Sequence, residues 1–133
     1  MSEKDLAKLC ASLNPVMAQP AYVYCSFIDF GLPIGLVPFC TVREDEGLTA
    51  VIGRLDAERL RLPYTFESRL ITLSVHSSLE AVGFIAVISR TLAQAGIPCN
   101  AIAGYCHDHI FVPVDRAEEA MTLLNKIAAA SRS

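Results

Sequence analysis

The stretch RLITLSVHSSLEAVGFIAVISRTLAQAGIPCNAIAGYCHDHIFVP (residues 69–113) changes its hydrophobic period along its length, and these changes decide the fold. Residues 69–76 alternate apolar and polar side chains, which predicts a strand with one buried face. The period then becomes that of a helix, which Gly96 followed by Pro98 is expected to end. Two strand-like runs follow, IPCNAIAGY and HIFVP, and the polar turn CHDH between them predicts a hairpin.

Helix boundaries in this half of the chain are predicted from capping residues. Ser77 stands three residues before Glu80, the spacing of a capping box, so the first helix is expected to start directly after Ser77. Asp115 and Glu118 repeat this spacing before the last helix. The stripe expected to be buried on the first helix consists of Val82, Ile85, Ala86, Leu92 and Ala93, and the apolar face is widened by Phe84, Val87 and Ile88.

The first half of the chain predicts a helix capped by Ser2 and a strand over residues 21–28. Residues 31–40, rich in Gly and Pro, are expected to form a loop or a bulged edge strand. Two short strands then flank the polar turn EDEG. A short helix capped by Asp56, within residues 55–60, follows them.

Residues 69–130 therefore predict the order strand, helix, strand, strand, helix. This order is typical of an α+β sandwich of the ferredoxin-like kind, with a mainly antiparallel sheet and helices on one face. Such a unit needs one more strand after its last helix, and the first half of the chain has strands to spare. We therefore expect two incomplete repeats, of ββαβ and βαββα type, over residues 1–66 and 67–133. They complete one another either within the chain or across a dimer.

The run VHSSLEAVGFIAVISRTLAQAGIPCNAIAGYCHDHIFVP resembles an ACT domain, and VREDEGLTAVIG resembles the companion unit of bacterial proteins that carry two such units and no enzyme domain. The resemblance implies a regulatory fold that binds small molecules, often amino acids, and that pairs edge to edge into larger sheets. Many amino-acid-binding ACT domains carry an acidic residue and a Pro-Gly pair between the first strand and the first helix. Here that loop is His76-Ser77-Ser78-Leu79, with Gly83 a turn later.

Composition limits the classes of partner. The net charge is −3 with Lys and Arg scattered singly, so nucleic acid is not expected to bind. No apolar run has the roughly 18 residues of a membrane span, and the charged N-terminus is unlike a secretory signal.

The 5 cysteines are odd in number and lack a CxxC pair, which favours reduced thiols in a cytoplasmic protein. Because 53% of the residues are hydrophobic, we expect a homodimer or a higher even oligomer.

The start of the helix after residue 76 is the candidate ligand site. Backbone N–H groups there lack helical partners and carry the positive end of the helix dipole, so they can hold a carboxylate. In this hypothesis the carboxylate meets the N–H groups of Leu79, Glu80 and Ala81, and Ser77 and Ser78 flank it. The other end of the ligand reaches the hairpin, where Asp108 receives an amino group and His76 lies at the rim. The remaining expected site residues are Gly83, Ala103, Gly104 and Tyr105. The alternative is that Ser77 only caps the helix.

The motif CHDH permits three interpretations. Asp108 is a turn former and His107 and His109 flank it, or these histidines bind a metal with His76 or Cys106, or the group performs acid–base chemistry. The turn is favoured because Gly104 and both flanking strands predict a connection there. We therefore expect no bound metal.

The sequence has no Gly-rich phosphate loop and no nucleophile elbow, so no catalytic residue and no cofactor are expected. The favoured function is an ACT-type sensor that binds a small amino-acid-like ligand near a subunit interface. A metal-binding protein or small hydrolase centred on His76, Cys106, His107 and His109 is the first alternative. An interaction module without a ligand is the second.

Overall fold

The computed structural model describes residues 4–75 and 77–132. The strands are β1 (Pro15–Phe27), β2 (Cys40–Glu44), β3 (Gly47–Gly53), β4 (Thr65–Leu73), β5 (Asn100–Ala103) and β6 (Asp108–Pro113). The helices are α1 (Leu6–Ser12), α2 (Arg54–Arg59), α3 (Phe84–Gln94) and α4 (Ala117–Arg132), with a 3-10 turn (Val114–Arg116) before α4. None of the helices in this part of the chain is long and apolar enough to cross a membrane.

The strands form a sheet in the order β2-β3-β1-β4-β6-β5, and β1–β3, β2–β3 and β5–β6 are antiparallel pairs. The predicted α+β fold of the ferredoxin-like, ACT-type class is confirmed. Contacts group the described residues into two compact units. The central unit is residues 19–68. The terminal unit comprises the described residues up to Ala18 and from Arg69 onward.

The boundaries of the units lie within two long strands, so β1 and β4 each contribute residues to both units. The strand that the terminal unit lacks in the sequence pattern is supplied within the chain by the start of β1. Directly beside these strands, the N–H of Ser74 after β4 donates to the carbonyl oxygen of Asn14 before β1 at 3.1 Å. The Arg69 guanidinium donates to the Ala18 oxygen from Nε at 3.1 Å and from an Nη at 2.6 Å. Helix α1, expected in the repeat of residues 1–66, shares its core with α3 and α4.

The core of the terminal unit lies between its strands and helices α1, α3 and α4. Ile71 and Leu73 of β4 are fully buried there, as their alternation with polar neighbours predicts. The end of α3 is also as predicted, because Gly96 has φ 73° and its N–H donates to the Ala93 oxygen.

The predicted start of α3 is wrong. The helix begins at Phe84, not after Ser77, because Gly83 has φ 93° and separates it from the preceding loop. Ser78 makes a turn instead, since its hydroxyl oxygen accepts from the Glu80 N–H at 3.0 Å. The buried residues of α3 are Phe84, Ile88 and Leu92, of which Phe84 and Ile88 were expected beside the stripe and Leu92 within it. Of the predicted stripe, Val82, Ile85, Ala86 and Ala93 are exposed.

Of the three other predicted caps, two lie inside a helical turn and one lies outside the described residues. The α1 cap is Asp5, whose carboxylate accepts from the Lys8 N–H, while Ser2 lies outside the described residues. Asp56 lies in the first turn of α2, whose cap position is Gly53. Asp115 lies within the 3-10 turn that precedes α4. In each of the last two cases the chain turns earlier than the side-chain pattern alone indicates.

The central unit has a smaller core, formed by alternate residues of β1 and β3 under α2. Val23 and Cys25 of β1 contribute to it, and Ala57 covers them from α2. The predicted loop over residues 31–40 lies in the connection between β1 and β2, and Leu36 from that loop is also buried in this core.

Candidate functional site

A cavity of about 170 Å³ lies in the terminal unit, where the chain has left β4 and approaches α3. The loop before α3, the first turn of α3 and the β5–β6 hairpin form its walls. Its lining residues are Ser77, Ser78, Leu79, Ala81, Gly83, Phe84, Ile85, Ala103 and Asp108.

Most of the residues expected in the ligand site line this cavity. The exceptions are Glu80, Gly104 and Tyr105, while His76 lies outside the described residues. The Glu80 carboxylate turns toward Lys4, with its Oε2 3.2 Å from the Lys4 Nζ. Tyr105 is 86% exposed in the hairpin turn.

Two lining residues, Phe84 and Ile85, were not expected, because the predicted helix started too early. The glycine at position 83 was the available signal for the true start, since a left-handed residue interrupts a helix. The first helical bond of α3 runs from the Val87 N–H to the Gly83 oxygen at 3.1 Å. The N–H groups of the first helical turn therefore begin at Phe84.

The expected donors before residue 83 are partly occupied. The Glu80 N–H donates to the Ser78 hydroxyl, and the Ala81 N–H donates to the Ser78 carbonyl oxygen at 3.0 Å. The donor group of the helix start thus moves from residues 79–81 to residues 84–86.

Asp108 is the acidic residue of the cavity, and it opens β6 opposite Ala103 of β5. Burial raises the pKa of its carboxyl, and the neighbouring His109 and His107 oppose that rise. Its predicted role as the centre of the turn is wrong, because the turn spans residues 104–107 and is closed by the Gly104 N–H donating to the His107 oxygen at 2.9 Å. A Cβ at Gly104 would lie 2.8 Å from that oxygen, so the turn depends on glycine there.

The two histidines of the hairpin have separate partners on the chain around the end of β4. The His107 Nδ1 lies 3.1 Å from the Val75 carbonyl oxygen, and the His109 Nδ1 lies 3.0 Å from the Thr72 hydroxyl. Burial lowers the pKa of His109, the charge of His107 lowers it further, and Asp108 opposes both. Within residues 4–75 and 77–132, no three His, Cys, Asp or Glu side chains are grouped to hold a metal ion.

Apolar side chains are exposed around the cavity. Leu79 and Ile85 line it and are 67% and 37% exposed, and Val82 between them in sequence is 83% exposed. These exposed apolar side chains lie on the loop before α3 and on its first turn.

Known structures share this fold. A Vibrio cholerae protein of unknown function, described as a possible transport protein, is 40% identical with a TM-score of 0.82, over 94% of this chain and 97% of that one. An Agrobacterium tumefaciens protein is 14% identical with a TM-score of 0.74, over 87% and 89%. The regulatory subunit of aspartate kinase from Thermus flavus is 9% identical with a TM-score of 0.62, over 85% and 95%. The last two likenesses concern the fold alone.

Sequence comparison gives the family. A search of functionally curated proteins finds no match. Two family descriptions, both named ACT domain, match residues 1–69 and residues 65–126. The first match alone covers more than half of the chain, and the two overlap in β4, the strand that contributes to both units. The chain therefore belongs to the ACT-domain family.

Proposed function

We propose that this chain is a regulatory module that binds a small amino-acid-like ligand in the terminal-unit cavity, next to a subunit interface. ACT domains are generally regulatory modules that bind amino acids, and the structures with this fold include a regulatory subunit of aspartate kinase. The observation that carries the proposal is the cavity itself, which combines a helix start with a single carboxylate, Asp108.

The carboxylate of the ligand would bind at the start of α3. The N–H groups of Phe84, Ile85 and Ala86 belong to its first turn, where backbone donors lack helical partners and the helix dipole favours negative charge. Phe84 and Ile85 line the cavity, so a ligand there meets this turn. The hydroxyls of Ser77 and Ser78 supply further hydrogen-bonding groups beside it.

The amino group of the ligand would bind Asp108. Burial raises the pKa of this carboxyl, because burial disfavours its ionised form. An ammonium group would favour the ionised form and would itself be stabilised, as in other charge-assisted pairs. The site thus offers one position for each charge of an amino acid.

The size of the cavity favours a small ligand and a partner that completes the site. Its volume of about 170 Å³ is below the roughly 300–1,000 Å³ of usual small-molecule sites. The exposed Leu79 and Val82 lie at or next to it in sequence and would be covered in a dimer or higher even oligomer.

All five cysteines are unpaired, which favours the reducing cytoplasm as the location.

A thermal-shift screen over the amino acids tests the proposal. A ligand that binds only the folded protein raises the melting temperature, by an amount that grows with its concentration. We expect at least one small amino acid to do so, and its carboxamide and N-acetyl derivatives, which each lack one charge, to do so much less. If no amino acid shifts the melting temperature at millimolar concentration, the module acts without such a ligand and the proposal fails.

A further inference from the structure

The central unit has a cavity of its own, larger than the one in the terminal unit. Its volume is about 380 Å³, within the range of roughly 300–1,000 Å³ that small-molecule sites usually have. The lining residues are Tyr24, Cys25, Ser26, Thr49, Pro63, Tyr64 and Thr65.

One side of the cavity is formed by the face of the sheet that lies opposite the core of the central unit. Along β1, Val23 and Cys25 belong to that core, so Tyr24 and Ser26 point the other way. Thr49 of β3 is paired with Ser26, which puts its side chain on the same face. The segment of residues 63–65, between α2 and β4, forms the remaining wall.

The chemistry of the lining defines the class of ligand. Two phenol rings, from Tyr24 and Tyr64, offer flat apolar surface, and the hydroxyls of Ser26, Thr49 and Thr65 offer hydrogen bonds. None of the lining residues carries a formal charge, and the Thr49 hydroxyl donates to the carboxylate of Glu44. An anionic ligand would therefore lose water without gaining a cationic partner.

The backbone is strained on both sides of the segment of residues 63–65. Arg61 has φ 55° and Phe66 has φ 59°, and both are non-glycine residues in the left-handed region. Such residues cost free energy and are frequent at ligand-binding positions. The Phe66 ring also contacts the Tyr24 ring edge to face, with centroids 5.9 Å apart, so the strained residue holds one wall of the cavity.

We propose that this cavity is a second binding site, which takes an uncharged planar ring compound with hydrogen-bonding groups at its edge. The ring packs against Tyr24 and Tyr64, and its edge bonds to the hydroxyls of Ser26, Thr49 or Thr65. The inference does not depend on the ligand of the terminal unit, because every residue it uses lies in the central unit.

Titration of the full chain with indole, followed by amide NMR, tests this site. Indole is planar, uncharged and carries one N–H donor at its edge, and indole-3-carboxylate is the matched charged probe. We expect indole to shift the amide signals of Ser26, Thr49, Tyr64 and Thr65 saturably. The charged probe should bind about tenfold more weakly, because its carboxylate is desolvated without a partner.

Two variants distinguish indole binding in this cavity from non-specific binding of indole to exposed rings. Tyr64→Ala removes a half-exposed ring from the wall and should weaken indole about tenfold, whereas Tyr105→Ala, which removes an exposed ring in the terminal unit, should leave it unchanged. Thr49→Val keeps the shape of the wall and removes a hydroxyl that donates to Glu44 and can still accept from the indole N–H, so it should weaken indole less than Tyr64→Ala does. The proposal is overturned if indole causes no saturable shifts at these amides, or if Tyr64→Ala binds it as tightly as the parent.

Discussion

The Nδ1 atom of His107 lies 3.1 Å from the carbonyl oxygen of Val75, and this hydrogen bond joins the β5–β6 hairpin to the chain leaving β4. A carbonyl oxygen only accepts, so Nδ1 carries the proton and donates it. Ser77, two residues after Val75, and Asp108, next to His107, both line the terminal-unit cavity. The bond therefore fixes two walls of the candidate site relative to each other.

Removing this bond should destabilise the protein. We expect His107→Ala to lower the free energy of unfolding by about 1 kcal/mol, the usual net worth of one hydrogen bond. His107→Asn, which offers an amide N–H close to the position of Nδ1, should recover part of the loss. Urea denaturation measures both, with the neighbouring exposed Cys106→Ala as control. Equal stability of the Ala and Asn variants would show that the bond contributes nothing.

Asp108 should make the stability depend on pH. Burial raises the pKa of Asp108 in the folded state above the ordinary value of 3.8, which the unfolded state keeps. At a pH between 3.8 and the folded-state pKa, the folded protein therefore holds a proton that the unfolded protein has lost. The stability this proton contributes is present below pH 3.8 and is lost as the pH rises through the folded-state pKa. Asp108→Asn should therefore unfold with a higher free energy than the parent at pH 7.

This difference should vanish at acid pH. Urea denaturation of both proteins across a pH series measures it, and Asp45→Asn in an exposed turn controls for the loss of one charge. A gap between Asp108→Asn and the parent that stays constant from pH 3 to 7 would refute the role of burial at this carboxyl.

The C-terminal end of α3 supplies a prediction about backbone conformation alone. Gly96 has φ 73°, and a Cβ added there meets no atom within 4 Å, so Gly96→Ala carries only a conformational cost. We expect a loss of roughly 1 kcal/mol in the free energy of unfolding. Gly31→Ala is the matched control, because its site is equally open without a left-handed φ. If thermal or urea denaturation finds both variants equally stable, the left-handed conformation is not costly here.

The alternation of residues 69–76, the hairpin and the Gly96 stop were sufficient to predict the fold class, because burial on one face imposes a period on the sequence. The completion of the terminal unit by β1 could not be predicted in this way. Residues 15–18 carry no mark of which strand they pair with, since pairing joins residues far apart in the chain. Only the missing strand of the unit indicated that some other segment had to supply it.

The sequence predicted the loop that lines the terminal-unit cavity, but the helix start that it assigned to residues 79–81 lies at residues 84–86. Ser77 and Glu80 have the spacing of a capping box, yet the Ser78 hydroxyl bonds the Glu80 N–H and closes a turn instead. Both arrangements satisfy the same backbone groups, so local sequence does not choose between them. The left-handed Gly83 decides the outcome, and a glycine in a helical pattern is compatible with either.

Assembly should depend on the exposed apolar residues beside the terminal-unit cavity. We expect the parent to be a dimer or higher even oligomer at micromolar concentration, and Val82→Glu to dissociate it because a charge would be buried at the interface. Val37→Glu is the matched control, since Val37 and Val82 are both 83% exposed. Sedimentation velocity measures all three. A monomeric parent, or equal behaviour of the two variants, would argue against an interface at this cavity.

Calorimetric titration of two variants at Ser78 tests most directly whether the terminal-unit cavity holds the carboxylate of an amino acid. Ser78→Asp and Ser78→Asn can both accept from the Glu80 N–H, as the Ser78 hydroxyl does, so both keep the turn and differ by one charge. With the amino acid that raises the melting temperature most, we predict near-parental affinity for Ser78→Asn. Affinity for Ser78→Asp should be lower by at least about tenfold, because its carboxylate repels that of the ligand. Equal affinity in the two variants would contradict the account and place the ligand elsewhere.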